Sequence, residues 1–337
     1  MMANIIAFGE VMMRMEVADN RLLSQGQSLH YSFSGTGVNV AAAMVNFGHQ
    51  GYLATRLPRQ PLGQAAFAFM QKLGIQHQFI KMGGSELGMY FLEKGYGRRP
   101  SRVTYTERKN SSFNTAIFSE AYLNELAECA DVLHLCGITL AMGESIRQQL
   151  MRLTHKVKQK GGLICFDCNF RPSLWSEEDG EAKRYYEEMF HLADIVMMNE
   201  KDALLTLQYE TAAHDRRQQL EELIPQVAEC YDIPVIAGTH RTVHVDNTHS
   251  LQGFLYKESS FSYAKTPPFA VLDRIGSGDA YTSGILHGEL SRQSPQEEVQ
   301  FAVTACMLAC TIQGDTPLST EDDIVSAINQ YENDLQR

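Results

Sequence analysis

Short apolar runs recur along the chain at residues 4–11 (NIIAFGEV), 130–138 (ADVLHLCGI), 162–170 (GLICFDCNF), 193–200 (ADIVMMNE) and 233–239 (IPVIAGT). Runs of this length predict buried strands. The segments between them carry helical spacing. In 143–160, Ile146, Leu150, Leu153 and Val157 form one apolar stripe along one face. Strands alternating with helices at about 30 residues per unit predict parallel βαβ units, hence an α/β fold with a doubly wound sheet covered on both faces. Ligands of such sheets sit at the carboxyl ends of the strands.

Two stretches break this rhythm. Residues 12–34 and 88–115 alternate apolar and polar positions around turn signals such as Asp19-Asn20, Gly95 and Gly97, which predicts antiparallel strands outside the main sheet. A small sheet on an α/β core can act as a lid that keeps water from a transfer reaction, although surface hairpins without that task are common. The chain is therefore expected to be a single α/β domain over 1–337 with lid strands inserted.

With 44% apolar residues the chain can bury a large core. No run of eighteen apolar residues occurs, and the first residues, MMANIIAFGEVMMRM, lack a basic leader, so a cytoplasmic location is expected, with no membrane partner. Lys and Arg number 29 against 40 Asp and Glu; the net charge of −11 argues against nucleic acid as a partner. Seven scattered cysteines fit reduced core thiols. Cys165 and Cys168 form a C-x-x-C on a predicted strand, where an odd offset sends them to opposite faces.

The densest chemical signal is AVLDRIGSGDAYTSGILHGEL at 270–290, where Gly276, Ser277, Gly278 and Asp279 join a strand to a helix. Glycines let backbone approach a ligand, and amides at a helix start attract negative charge. Asp279, held among those amides, is expected to stay ionised and to take a proton from an attacking alcohol. On its own the motif fits an ordinary loop with a capping Asp better than a catalytic site. A second glycine segment, SGTGVNVAAAMVNFG at 34–48, places Asn39 at a helix start. It is no dinucleotide fingerprint, since Val40 stands at the third glycine position, and no G-x-x-x-x-G-K-[ST] occurs anywhere.

These segments together resemble the PfkB (ribokinase-like) carbohydrate kinases over essentially the whole chain. DCNFRPSLW at 167–175 is similar to that family's D-x-N-x-R segment, and Asn199-Glu200-Lys201-Asp202 stands at its N-x-x-E segment. The resemblance implies a three-layer αβα sandwich with a small β-sheet lid, ATP and Mg2+ as cofactors, and Asp279 as the base beside the amides of Gly276, Ser277 and Gly278. Three further stretches, at 87–108, 234–245 and 310–315, resemble the 2-keto-3-deoxygluconate kinases. That narrows the implied reaction to phosphorylation of the C6 hydroxyl of a 2-keto-3-deoxy sugar acid, with a fructokinase or other sugar kinase as the alternative and a non-catalytic sugar sensor as a distant one.

Carried over by position, Gly35, Thr36, Asn39, Tyr90 and Tyr105 would line the sugar. A sugar acid needs fixed cations, and Arg171 and Arg108 are suitably forked donors. Asn169, Asn199, Thr239, Gly276 and Gly278 would meet ATP, residues 302–310 would flank the adenine, and Asn199 with Asp202 would hold magnesium through water, with Glu200 as a substitute. Asp202 is one methylene shorter than the family's Glu, and Arg274 replaces a common Thr, which counts against a monovalent-cation site. A homodimer through the lid is a further implication.

Overall fold

The computed structural model describes residues 2–97, 99–175 and 180–329. Its strands are β1 (Asn4–Phe8), β2 (Met12–Glu16), β3 (His30–Ser34), β4 (Gln50–Leu57), β5 (Ile80–Met82), β6 (Gly88–Glu93), β7 (Arg102–Tyr105), β8 (Val132–Cys136), β9 (Leu163–Asp167), β10 (Ile195–Met197), β11 (Val235–Val243), β12 (His249–Lys257) and β13 (Ser260–Lys265). Nine of them form one sheet in the order β13-β12-β11-β10-β9-β8-β1-β4-β5. The seven from β11 to β5 run parallel, and β12 and β13 close the far edge antiparallel.

Because successive side chains point to opposite faces, each central strand feeds two cores. Ile6, Leu133, Ile164, Phe166 and Val196 meet the helices Glu120–Cys129, Glu144–Gln159, Glu181–Phe190 and Arg216–Tyr231 on one face. Ile5, Val132, Cys165, Ile195 and Ala237 meet Thr36–Asn46, Ser277–Ser291 and Pro295–Ala309 on the other. This gives three layers. Cys165 and Cys168 are both buried and fall into the two different cores, as their spacing predicts. Ile146, Leu150, Leu153 and Val157 are fully buried.

The remaining strands make a separate sheet in the order β3-β2-β6-β7. Its outer pairs are antiparallel, but the central pair β2·β6 is parallel, contrary to the expectation of antiparallel strands throughout. The cause is topological: β2 follows β1 and β6 follows β5, and both leave the carboxyl edge of the same parallel sheet, so they project in the same direction.

Candidate active site

Five parallel strands deliver residues to one cleft of about 800 Å³: Glu10 after β1, Thr139 after β8, Asp167 and Asn169 at the end of β9, Asn199 after β10, and Gly238 and Thr239 in β11. Tyr90, Val103 and Tyr105 of the small sheet close one side. Two helices aim their amino ends at the floor: Thr36–Asn46 brings Gly35, Thr36 and Asn39, and Ser277–Ser291 brings Gly276, Gly278 and Asp279. Residues separated by some 240 positions are thereby joined.

Asp279 is buried, and Asn39 Nδ2 donates to its Oδ2 at 2.7 Å. The amide is oriented from behind, since Thr316 Oγ1 donates to Asn39 Oδ1 at 3.3 Å. Burial pushes the Asp279 carboxyl up to about 7, outweighing the lowering effects of Asn39 and the Arg171 charge. The expectation that helix amides would keep it firmly ionised is thus corrected: desolvation wins, and the group stands near neutrality, where a general base is most effective. Gly276 has φ +82°, and a Cβ there would lie 1.7 Å from the Asp315 carbonyl oxygen, so only glycine fits. Of the first-turn amides that follow, that of Ser277 meets the Arg274 carbonyl at 3.4 Å, and those of Gly278 and Asp279 lack intrahelical acceptors by position, the arrangement expected of an anion hole. Ser277 does not line the cleft; its Oγ donates to the Arg274 carbonyl at 2.8 Å and fixes the loop instead.

Asn199 and Asp202 line the cleft as a helix cap. Asn199 Oδ1 accepts from the Lys201 amide at 2.9 Å, and Asp202 Oδ2 accepts from the Asn199 amide at 2.9 Å. Burial raises Asp202 to about 6 and, with Asp279 and Asp202 nearby, Asp167 to about 8. Glu200 is excluded as a substitute metal ligand, because its carboxylate is bound by Arg216 Nε at 2.6 Å and His240 Nε2 at 2.7 Å. Among the described residues no group of three or more His, Cys, Asp or Glu is arranged to hold a metal ion directly.

Arg171 and Arg108 both line the cleft but differ in state. Arg171 Nη1 reaches only main-chain carbonyls, of Phe170 at 3.1 Å and Asn169 at 3.4 Å, and has no carboxylate partner among the described residues. Arg108 is already compensated: its Nε and Nη2 donate to Glu10 Oε2 at 3.0 and 2.5 Å, and it lies over the Tyr105 ring. It stands in the cleft where a fixed cation was expected, with Glu10 already on its guanidinium. Residues 302–310 lie outside the cleft lining, and their helix packs on Ser277–Ser291 through the Gly284–Ala302 approach.

The family model for pfkB family carbohydrate kinases matches residues 2–322. The chain belongs to that family. A 2-dehydro-3-deoxygalactonokinase from Haloferax volcanii is 25% identical to this PfkB kinase over 96% of both chains. A provisionally assigned 2-keto-3-deoxygluconate kinase from Enterococcus faecalis superposes with a TM-score of 0.92 at 35% identity, covering 99% of each chain. The 2-dehydro-3-deoxygluconokinase of Thermotoga maritima superposes at 0.91 with 26% identity, covering 98% of this chain and 99% of that one.

Within this kinase, sequence reasoning overlooked Glu10 and Asp167 as cleft residues. Both were marked by one signal: an acidic residue directly after an apolar run, at the carboxyl edge of a parallel strand.

Proposed function

We propose that this PfkB kinase transfers the γ-phosphoryl group of ATP to the C6 hydroxyl of a 2-keto-3-deoxy sugar acid, with 2-keto-3-deoxygluconate as the first candidate. The observation that carries the reading is Arg171, an arginine without a carboxylate partner among the described residues, in the same cleft as the Asp279 base and the helix amides. A bidentate guanidinium suits a substrate carboxylate, and a neutral sugar has no use for it. The names of the two 2-keto-3-deoxygluconate kinase structures and of the deoxygalactonate relative support the acid class, and the last of these keeps the C4 epimer within it.

In the reaction, Asp279 accepts the hydroxyl proton while that oxygen attacks the γ-phosphorus and the bond to the β-phosphate oxygen breaks, releasing ADP. The amides of the Gly276–Asp279 turn face the charge that develops. Tyr90 and Tyr105 shelter the sugar, and the small sheet keeps water out. Asp202 and Asp167 fit magnesium held through water, since both carboxyls line the cleft and Asp202 adds to the rise of Asp167. When bound, magnesium would neutralise phosphate charge.

The reading includes a cytoplasmic enzyme, supported by seven unpaired thiols, and a dimer through the outer face of the small sheet, where Met13, Met15, Met89 and Phe91 are half-buried and Tyr31 is exposed. The test is ATP consumption with 2-keto-3-deoxygluconate, its C4 epimer, fructose and ribose, with wild type and Arg171→Ala. Selective loss of keto-acid turnover by about 10²-fold in the variant supports the assignment. Equal loss on fructose would assign a neutral-sugar kinase.

A further inference from the structure

One buried ionic cluster lies outside the reaction described above. Arg14, in the middle of β2, is 1% exposed, and its guanidinium donates to Glu16 on its own strand and to Asp273 and Asp315 on the main body. Lys94, just past β6, stands 3.4 Å from Glu16 and 3.5 Å from Asp273. Tyr90 of β6 donates its hydroxyl to Asp315 and lies 3.1 Å from Ser34 Oγ of β3, while Gln313 Nε2 donates to Glu16 Oε1 at 2.9 Å. Two strands of the small sheet, β2 and β6, are thus tied to two short segments of the main body.

Those two segments bracket the anion hole. Asp273 Oδ1 accepts from the Ile275 amide, next to Gly276, and the Asp315 carbonyl oxygen presses against Gly276 where any side chain would stand. Arg14 therefore grips the turn from both sides. Stability alone does not explain such a cluster, because a buried ion pair can often be replaced by apolar residues of similar volume without loss. What an apolar patch cannot supply is directional bonds that fix where Asp273 and Asp315 sit relative to the small sheet.

We propose that Arg14 is a positioning residue that joins the lid to the phosphate-binding turn, so that the turn holds its transfer geometry only while the lid is seated. A displaced lid breaks the Arg14 bonds and releases Gly276 and its amides. This inference extends the kinase reading, and one arm of its test needs no substrate.

The variants are Arg14→Lys, Lys94→Met and Asp315→Asn in the full chain. With a sugar that wild type phosphorylates, ADP release and phosphosugar are counted separately. Wild type is expected to give one ADP per phosphosugar; Arg14→Lys is expected to lose about tenfold or more in kcat, with KM for the sugar changed less, and to release excess ADP as water intercepts the phosphoryl group. A merely structural role would lower active enzyme without changing that ratio. In the substrate-free arm, hydrogen exchange is followed at residues 274–280. Arg14→Lys is expected to speed exchange there and in β2 and β6, with the Glu144–Gln159 helix unchanged. Unaltered coupling together with unaltered exchange at 274–280 overturns the proposal, and should Arg14→Lys fail to fold, Lys94→Met and Asp315→Asn decide it by the same two readouts. If wild type phosphorylates no sugar, the kinase reading fails and the exchange arm alone decides this one.

Discussion

Asp279→Asn tests the base assignment through two independent consequences of one buried carboxyl. The first is catalytic. An amide of the same size keeps the packing against Asn39 but accepts no proton, so turnover is expected to fall by at least ~10²-fold with the KM for ATP little changed. Wild-type kcat/KM should rise with pH through a limb near 7, the value to which burial raises this group, and the residual activity of the variant should lack that limb.

The second consequence is a stability gain. Burial holds Asp279 at about 7 in the fold against an ordinary 3.8. Between those values the unfolded chain has released a proton that the folded chain retains, so folding stability falls as pH rises through the interval and stays reduced above it. The gap corresponds to roughly 4 kcal/mol as an upper figure, at 1.36 kcal/mol per unit. Asp279→Asn should therefore be more stable than wild type at pH 8, by up to that amount, and the advantage should vanish towards pH 4. Urea titration at pH 8, 6 and 4 measures it. A variant that is less stable than wild type at pH 8, or whose difference does not vary with pH, would refute the argument that desolvation dominates at this carboxyl.

Other positions give narrower tests. Gly276→Ala forces a methyl onto the Asp315 carbonyl, so loss of activity with a fold still intact by circular dichroism is expected; wild-type rates would show that the turn is not held in its left-handed geometry. Asn39→Ala removes the only side-chain donor to Asp279 among the described residues and should move the acid limb of the rate profile to higher pH; an unmoved limb would separate the two residues. Glu298, fully buried against Gly288, is raised to about 9 first by desolvation and then by Glu289, so stability is lost as pH climbs from 4.5 through 9. Glu298→Gln should accordingly melt higher than wild type at pH 9 and not at pH 5.

What could be foreseen from sequence followed from how local each signal is. The strands and their stripes are properties of five to sixteen neighbouring residues, and there periodicity succeeded: the two faces of β9 could be assigned from Cys165 and Cys168 alone. The cleft was legible for a different reason, since a parallel sheet brings its strand ends together whatever lies between them, so Asn169, Asn199 and Thr239 had to converge. Orientation was not legible. Whether Arg108 offers its charge to a ligand depends on Glu10, some 98 residues away, and whether Glu200 can hold a metal depends on His240, 40 residues away. Nor could charge state be foreseen, because the motif that puts Asp279 among amides says nothing of how much water the fold removes. The Arg14 cluster shows the limit most clearly: its members lie up to 301 positions apart, Arg14 itself belongs to no motif, and only the parallel pairing of β2 with β6 brings Arg14 and Tyr90 together over Asp315. Its bonds exist only once lid and core have met, so Arg14 reads as a solvated charge on an alternating strand until the fold is known.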